Sequence, residues 1–182
     1  IFILIFFLFE MGWSLYFQSL ALLLSEKFHL AGRGIGLFSS YVGLCLSIAL
    51  MFVVRYVVRY VARTKIIQYG LLLGAGSLVL AFFASALWGQ ALLAIPVSVA
   101  VALVYSSLIA KISDQVDSQT QGFVLGVCDA VLALAFAITG FLAGWLTIYN
   151  SSYPLLVSAL LFLTASVVAF CLFFRFRRLK CS

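Results

Sequence analysis

The chain has 182 residues, of which 66% are hydrophobic and 9% are charged, and its formal net charge is +6 at pH 7. A soluble domain is roughly half apolar and about a quarter charged, so this composition excludes a water-soluble globular fold, and its few acidic residues and prolines exclude disorder. We expect lipid to surround most of the chain, and its basic residues to orient it in a membrane rather than to bind nucleic acid.

Six apolar stretches follow one another along the chain, and each is long enough to cross a bilayer. They cover about residues 1–24, 34–54, 66–87, 91–110, 122–147 and 154–174, before a basic tail at 175–182. Because strand-like alternation is absent and backbone groups in lipid must be satisfied internally, the stretches predict helices. The predicted fold class is therefore all-α, a polytopic membrane protein with six transmembrane helices. The third and fourth helices are expected to separate at Trp88–Gln90, and the apolar start at Ile1 favours a fragment of a longer protein over a signal peptide.

Basic residues predict the orientation of these helices. Nine of them follow the second or fourth helix or lie in the tail: Arg55, Arg59, Arg63, Lys65, Lys111, Arg175, Arg177, Arg178 and Lys180. Only Lys27 and Arg33 lie in the loops on the other side. The excess places both ends of this segment in the cytoplasm, most simply across a plasma membrane or a bacterial inner membrane.

Arg55, Arg59 and Arg63 recur every four residues and would form one stripe if the second helix continues past the membrane surface. Two interpretations are open. The stripe anchors the protein to anionic lipid headgroups, or it forms a cytoplasmic gate by pairing with Asp114 or Asp117.

Pairs of glycines four residues apart indicate close approach between helices. The three pairs are Gly70 with Gly74, Gly122 with Gly126, and Gly140 with Gly144. On the fifth helix, these glycines share one face with Ala133 and Ala137. Such a face suits either tight packing or sliding of one helix past another.

Ionisable groups inside a bilayer are costly, so Glu10 and Asp129 are the leading candidates for function. Trp13, Ser14, Phe17 and Gln18 follow Glu10 on the same helical face, a mixture that suits a water-accessible substrate cavity. Glu10 would then couple transport to protons or bind a cationic substrate beside Trp13. The alternative is a neutral glutamic acid hydrogen-bonded to a neighbouring helix.

Candidates on the other helices begin with Asp129, which ranks second to Glu10. Asp129 follows Gly126 by one turn, where function and helix packing are equally good explanations. Ser40 belongs to a polar stripe on the second helix, and Tyr105 is a candidate lining residue on the fourth. Pro96 removes a backbone hydrogen bond from that fourth helix and predicts a bend.

Two loop motifs carry a resemblance to a known family. The first is EKFH at residues 26–29, followed by Ile35-Gly36 and Gly43, and the second is ISDQVDSQTQG at residues 112–122, followed by Gly126. Together they resemble helices seven to twelve of the major facilitator superfamily, and among its branches the tetracycline-efflux type of drug/proton antiporter is the most similar.

The resemblance implies two inverted three-helix repeats that face a second six-helix half, with the substrate path between the halves. It implies a small-molecule substrate, a proton or another coupling ion, and a missing first half on the same or a second chain. Two departures stand out. Thr139-Gly140 replaces a Gly-Pro that many members have, and the basic loop at residues 55–65 lacks the family's Gly and Asp.

The predicted function is secondary active transport by alternating access, with proton-coupled drug efflux implied by the branch resemblance. A receptor, another non-transporting membrane partner or a channel subunit remains the alternative. An enzyme is not expected, because the one histidine, His29, lies outside the spans and no HExxH motif is present. No cofactor or metal site is expected either.

Overall fold

The computed structural model describes the backbone of residues 2–117 and 119–179, and the side chains of the same residues as far as 173. All regular structure in these ranges is helical. The helices are α1 (Phe2–Phe28), α2 (Gly32–Tyr60), α3 (Arg63–Phe83), α4 (Leu87–Ser113), α5 (Gln121–Tyr149) and α6 (Tyr153–Leu179). Each contains a stretch that is long and apolar enough to cross a membrane, which confirms the predicted fold class.

The ends of α2 and α6 lie beyond the apolar stretches that predict them. The α2 backbone remains helical through Arg59 and ends at Tyr60, because Val61 and Ala62 are extended. Long basic side chains can leave a helix for the membrane surface without interrupting its backbone hydrogen bonds. Arg63 therefore begins α3, and the basic stripe on α2 consists of Arg55 and Arg59 alone.

The predicted basic tail begins within a helix, since α6 continues to Leu179. The side chains of Arg175, Arg177 and Arg178 lie outside the described residues, as does Lys180. The orientation prediction for this end consequently depends on the sequence only.

The corner between α3 and α4 falls at residues 84–86, earlier than the Trp88–Gln90 expected from the sequence. Polar side chains reach back to close it. Lys27 Nζ donates to the carbonyl of Ala84 at 2.9 Å, and Gln90 Nε2 donates to the carbonyl of Ala81 at 2.6 Å. The Ala81 carbonyl also accepts from the backbone N–H of Ala84 at 3.2 Å, so Gln90 adds a second bond to it, while Lys27 supplies a donor to the carbonyl that follows the last turn of α3. Gln90 thus belongs to the first turn of α4 and stabilises the corner from there.

The six helices pack as two interlocked sets of three. α1 packs mainly against α5 and α6, α4 packs mainly against α2 and α3, and α3 also contacts α6 along its length. If α1, α2 and α3 are exchanged for α4, α5 and α6, the α1–α5 contact becomes the α4–α2 contact and the α1–α6 contact becomes the α4–α3 contact. This is the arrangement of two inverted three-helix repeats.

The densest packing surrounds Phe162 of α6, whose ring lies between two glycines. A Cβ atom on Gly12 of α1 would lie 2.6 Å from the ring, and a Cβ on Gly74 of α3 would also lie 2.6 Å from it. Phe9 packs edge-on against the same ring, with centroids 5.6 Å apart. Gly70 similarly makes room for Val104 of α4. Glycine is required at these positions because the helices approach each other through aromatic and branched side chains.

Burial is unequal among the helices. Only 11% of the α2 span and 17% of the α5 span are buried, against 44–56% for the other four. Gly122, Gly126 and Gly144 of α5 face open space. α2 and α5 therefore form the outer surface of this six-helix unit.

Candidate functional site

A cavity of about 220 Å³ lies among α1, α2, α4 and α5. Two residues of each of α1, α2 and α5 and three of α4 line it: Glu10, Trp13, Leu46, Leu50, Val101, Ala102, Tyr105, Leu132 and Phe136. Its wall is mostly apolar, with one carboxyl group and three aromatic residues. Small-molecule sites have this composition, because apolar walls bind the body of a ligand and a few polar groups orient it.

Glu10 is the one acidic residue of that wall. Its side chain is 1% exposed, and its Oε1 atom has no hydrogen-bond partner among the described residues. A buried polar oxygen without a partner costs roughly 1–3 kcal/mol, so such an atom needs a reason to be there. Because Glu10 lines the cavity, a ligand or proton that reached this oxygen would supply the missing hydrogen bond.

Aromatic rings surround this carboxyl group. Trp13 is half-buried and packs against Tyr16 and Phe17, with ring centroids 5.8 and 5.7 Å away. Tyr105 packs against Phe6, with ring centroids 6.0 Å apart. The faces of such rings attract cations, and their edges and hydroxyl groups accept varied apolar and polar ligands.

Polar residues just beyond the cavity join α1 to α5. Thr139 Oγ1 lies 2.8 Å from Ser14 Oγ and accepts a hydrogen bond from Gln18 Nε2 at 2.8 Å. Gln18 Nε2 also donates to the carbonyl of Phe136 at 3.1 Å. A Cβ atom on Gly140 would lie 2.8 Å from Gln18 Oε1, so glycine makes room for the amide. We call Ser14, Gln18 and Thr139 the α1–α5 cluster.

The structure divides the sequence-predicted residues between three places. Glu10, Trp13 and Tyr105 line the cavity, whereas Ser14 and Gln18 belong to the α1–α5 cluster. The remaining three residues, Phe17, Ser40 and Asp129, belong neither to the cavity wall nor to the α1–α5 cluster. Phe17 is 40% exposed beside Trp13, and Ser40 is exposed and donates to the carbonyl of its own helix at Gly36. Asp129 is exposed on α5, one turn before Leu132 on the same helical face.

Sequence analysis did not single out Thr139 or the apolar lining residues. Thr139 is one hydroxyl in a long apolar helix, and its position in place of a family glycine was the only indication. Leu46, Leu50 and Leu132 could not have been distinguished, because leucine is equally common on lipid-facing, packed and cavity surfaces. Leu50 does lie in a π-helical segment, Ala49–Val53, and single π turns are frequent near functional sites.

One ion pair of the described residues lies at the end of the bundle where α2 is joined to α3 and α4 to α5. Arg63 Nη1 at the start of α3 pairs with Asp114 Oδ2 just after α4. Arg55 and Arg59 have no hydrogen-bond or ionic partner in the part of the chain that the structure describes. Asp117 lies exposed in the loop before α5, where its carbonyl accepts from Thr120. The described residues contain no cluster of acidic, histidine and cysteine side chains that could hold a metal ion.

Comparison with known families decides the relationship. The sequence profile of the Major Facilitator Superfamily matches residues 2–180, nearly the whole chain. The chain belongs to the major facilitator superfamily. Comparison with individual curated proteins gives no match. Members of this superfamily move small solutes across membranes, so the chain is an integral membrane protein of a transporter family, with six of its helices described here.

Proposed function

We propose that this chain forms half of a secondary transporter that carries a small molecule past Glu10 by alternating access. The observation that supports it best is Glu10, a cavity-lining residue whose buried Oε1 atom has no hydrogen-bond partner among the described residues. A residue kept only for packing would be expected to hydrogen-bond a neighbouring helix, because an unpaired carboxyl group weakens the fold. If Oε1 exchanges ligands or protons during transport, its lack of a protein hydrogen-bond partner is explained.

The exposed surfaces of α2 and α5 support a second half. Both helices line the cavity, and both leave most of their surface uncovered. A partner bundle on the same or another polypeptide would close the cavity and bury the small-residue face at Gly122, Gly126 and Gly144. Alternating access would then be rocking of the two halves about the Glu10 site.

Proton coupling and efflux are the finer parts of the proposal. A carboxyl group shielded from water and lacking a basic partner can exchange a proton for a ligand contact, which is what a proton antiporter needs. The resemblance to tetracycline-efflux-type antiporters supports the outward direction. Asp129 is the second candidate carboxyl group, because it lies one turn before the cavity-lining Leu132 on the same face of α5.

The orientation follows from the basic loops. With both ends of the segment in the cytoplasm, the Arg63–Asp114 pair lies at the cytoplasmic end, between the start of α3 and the end of α4. We propose that this pair holds one repeat against the other there and contributes to a cytoplasmic gate. Exposed aromatic residues at the opposite end, including Trp88, Trp145 and Tyr149, are placed as in an interfacial belt.

The test is transport in proteoliposomes containing the complete protein, with a panel of organic cations as substrates. Uptake is driven first by an imposed proton gradient and then by substrate exchange without a gradient. Glu10→Gln is compared with Asp129→Asn, a matched loss of one intramembrane carboxyl group. We expect Glu10→Gln to lower gradient-driven uptake by at least about tenfold, the general effect of losing a proton-transfer group.

The outcomes separate the roles of Glu10. Loss of gradient-driven uptake with exchange retained assigns Glu10 to coupling, whereas loss of both assigns it to substrate contact. Unchanged uptake in well-folded Glu10→Gln protein contradicts the proposal. Unsaturable downhill flux in the parent indicates a channel, and binding without flux indicates a receptor.

A further inference from the structure

A second groove lies on the outer surface of α2, away from the Glu10 cavity. Its volume is about 240 Å³, and it is formed by Met51, Phe52, Arg55, Tyr56 and Arg59. We call it the α2 groove. Met51, Phe52 and Tyr56 are all more than 60% exposed, so the groove is open to whatever surrounds the bundle.

The groove carries two free positive charges on one helical face. Arg55 and Arg59 are four residues apart, so their side chains leave the same side of α2. Neither has a hydrogen-bond or ionic partner in the ranges that the structure describes, whereas Arg63 is neutralised by Asp114. Two neighbouring guanidinium groups can hold a phosphate with several charge-assisted hydrogen bonds.

The apolar part of the groove lies on the membrane side of the arginines. Met51 and Phe52 are one turn closer to the middle of α2, within the π-helical segment Ala49–Val53. Tyr56 and Tyr60 form a ring pair at the level of the arginines, with centroids 5.1 Å apart. Tyrosine favours the depth of lipid headgroups. The groove therefore runs from cationic at the membrane surface to apolar within it.

We propose that the α2 groove binds one anionic phospholipid, with its phosphate between Arg55 and Arg59 and an acyl chain against Met51 and Phe52. The order of charge and apolar surface along the groove matches the order in such a lipid. Phosphatidylglycerol, which carries one net negative charge, offsets one of the two positive charges, whereas zwitterionic phosphatidylcholine brings a positive charge of its own, so the site selects for net negative headgroups. The proposal does not depend on the transport role of Glu10.

The experiment measures bound lipid by native mass spectrometry. The protein is reconstituted into vesicles of equal parts phosphatidylglycerol and phosphatidylcholine, then released into mild detergent. The double variant Arg55→Gln/Arg59→Gln is compared with Lys65→Gln/Lys111→Gln, which removes the same charge from the same end of the bundle outside the groove. Thermal unfolding of both variants checks that the exposed substitutions leave the fold intact.

We expect the parent and the lysine variant to retain one phosphatidylglycerol in preference to phosphatidylcholine. The arginine variant should lose that preference by roughly tenfold, since two surface cations contribute together. An equal loss in both variants would mean a general charge effect and would overturn the site. No preference in the parent would also overturn it. Displacement of the lipid by soluble glycerol phosphate would identify a site for free phosphate instead.

Discussion

The two faces of α1 differ in packing: one lies against another helix and the other lines a cavity. Gly12 faces the ring of Phe162 in the densest part of the bundle, whereas Glu10, two residues earlier, faces the 220 Å³ cavity. Residues two apart on a helix lie roughly 200° apart around its axis, so one helix serves both regions. On the packing face, dispersion contacts fill the space. On the cavity face, a buried oxygen has no hydrogen-bond partner among the residues that the structure describes.

Under the proposed function, this difference separates residues that stabilise the fold from residues that contact the substrate within one helix. The Phe162 region tolerates no added atom, because both glycines already touch the ring. The cavity region gives up a hydrogen bond and some packing for access. Substitutions on the two faces should therefore change different measurements, unfolding for one and transport for the other.

The largest expected effect on stability is at Gly74. Gly74→Ala would place a methyl group 2.6 Å from the Phe162 ring, which cannot retreat because Gly12 closes its other side. Overpacking of this kind costs about 1–3 kcal/mol of unfolding free energy. Gly76→Ala is the matched control on α3, since nothing lies within 4 Å of its Cβ position. Alanine there should stabilise the helix by up to about 1 kcal/mol.

Reversible unfolding in mixed micelles measures both glycine variants. Opposite signs of the change in unfolding free energy are expected. An unchanged unfolding free energy in Gly74→Ala would contradict this prediction. It would mean that α6 can move away from α3 to make room for the methyl group.

A smaller effect is expected at the α1–α5 cluster, which lies between the two regions. Thr139→Val removes the oxygen that accepts from Gln18 and contacts Ser14, so Gln18 keeps only its bond to the Phe136 carbonyl and Ser14 only a 3.4 Å contact with the Met11 carbonyl. The expected loss is about 1–2 kcal/mol of unfolding free energy. Thr147→Val is the control, because the Thr147 hydroxyl bonds only carbonyls of its own helix.

The same unfolding assay, extended to Ser14→Ala and the double variant, gives the coupling between α1 and α5. Non-additive losses are expected for Ser14 with Thr139. Purely additive losses would show that the hydroxyl groups stabilise their own helices and do not join the two.

The smallest effect is expected at the Arg63–Asp114 pair. Its side chains are 36% and 60% exposed, so solvent screens the attraction. Exposed ion pairs contribute about 0.2–1 kcal/mol, less at high salt. A double-mutant cycle with Arg63→Gln and Asp114→Asn should give a coupling in that range at low salt. Coupling above it, or unaffected by salt, would mean that the pair is shielded in the complete protein.

Much of the fold could be predicted from the sequence, because composition and six apolar stretches leave little choice but six helices. Helix ends were harder. The corner at residues 84–86 is closed by Lys27 and Gln90, whose partners are backbone carbonyls that no sequence pattern specifies. Likewise, the extension of α2 through Arg59 depends on backbone geometry at Val61 and Ala62, not on hydropathy.

The candidate site was only partly predictable. Glu10 stood out because a carboxyl group in an apolar run is costly, and spacing placed Trp13 on its face. The same spacing placed Ser14 and Gln18 there too, yet these side chains bond Thr139 of α5. Spacing along one helix defines a face, but the neighbouring helix decides whether that face is open or filled. The partner of a polar residue is therefore known only once the helices are packed.

Alternating access, as proposed above, requires the Glu10 cavity to open in turn to both sides of the membrane. Leu132→Cys, in a variant with Cys45, Cys128, Cys171 and Cys181 replaced by serine or alanine, places a half-buried reporter in the cavity wall. A membrane-impermeant thiol reagent is applied to right-side-out and inverted vesicles containing the complete protein. Labelling from both sides, slowed by substrate, is the predicted result. Labelling from neither side, or from one side only, would contradict alternating access through this cavity.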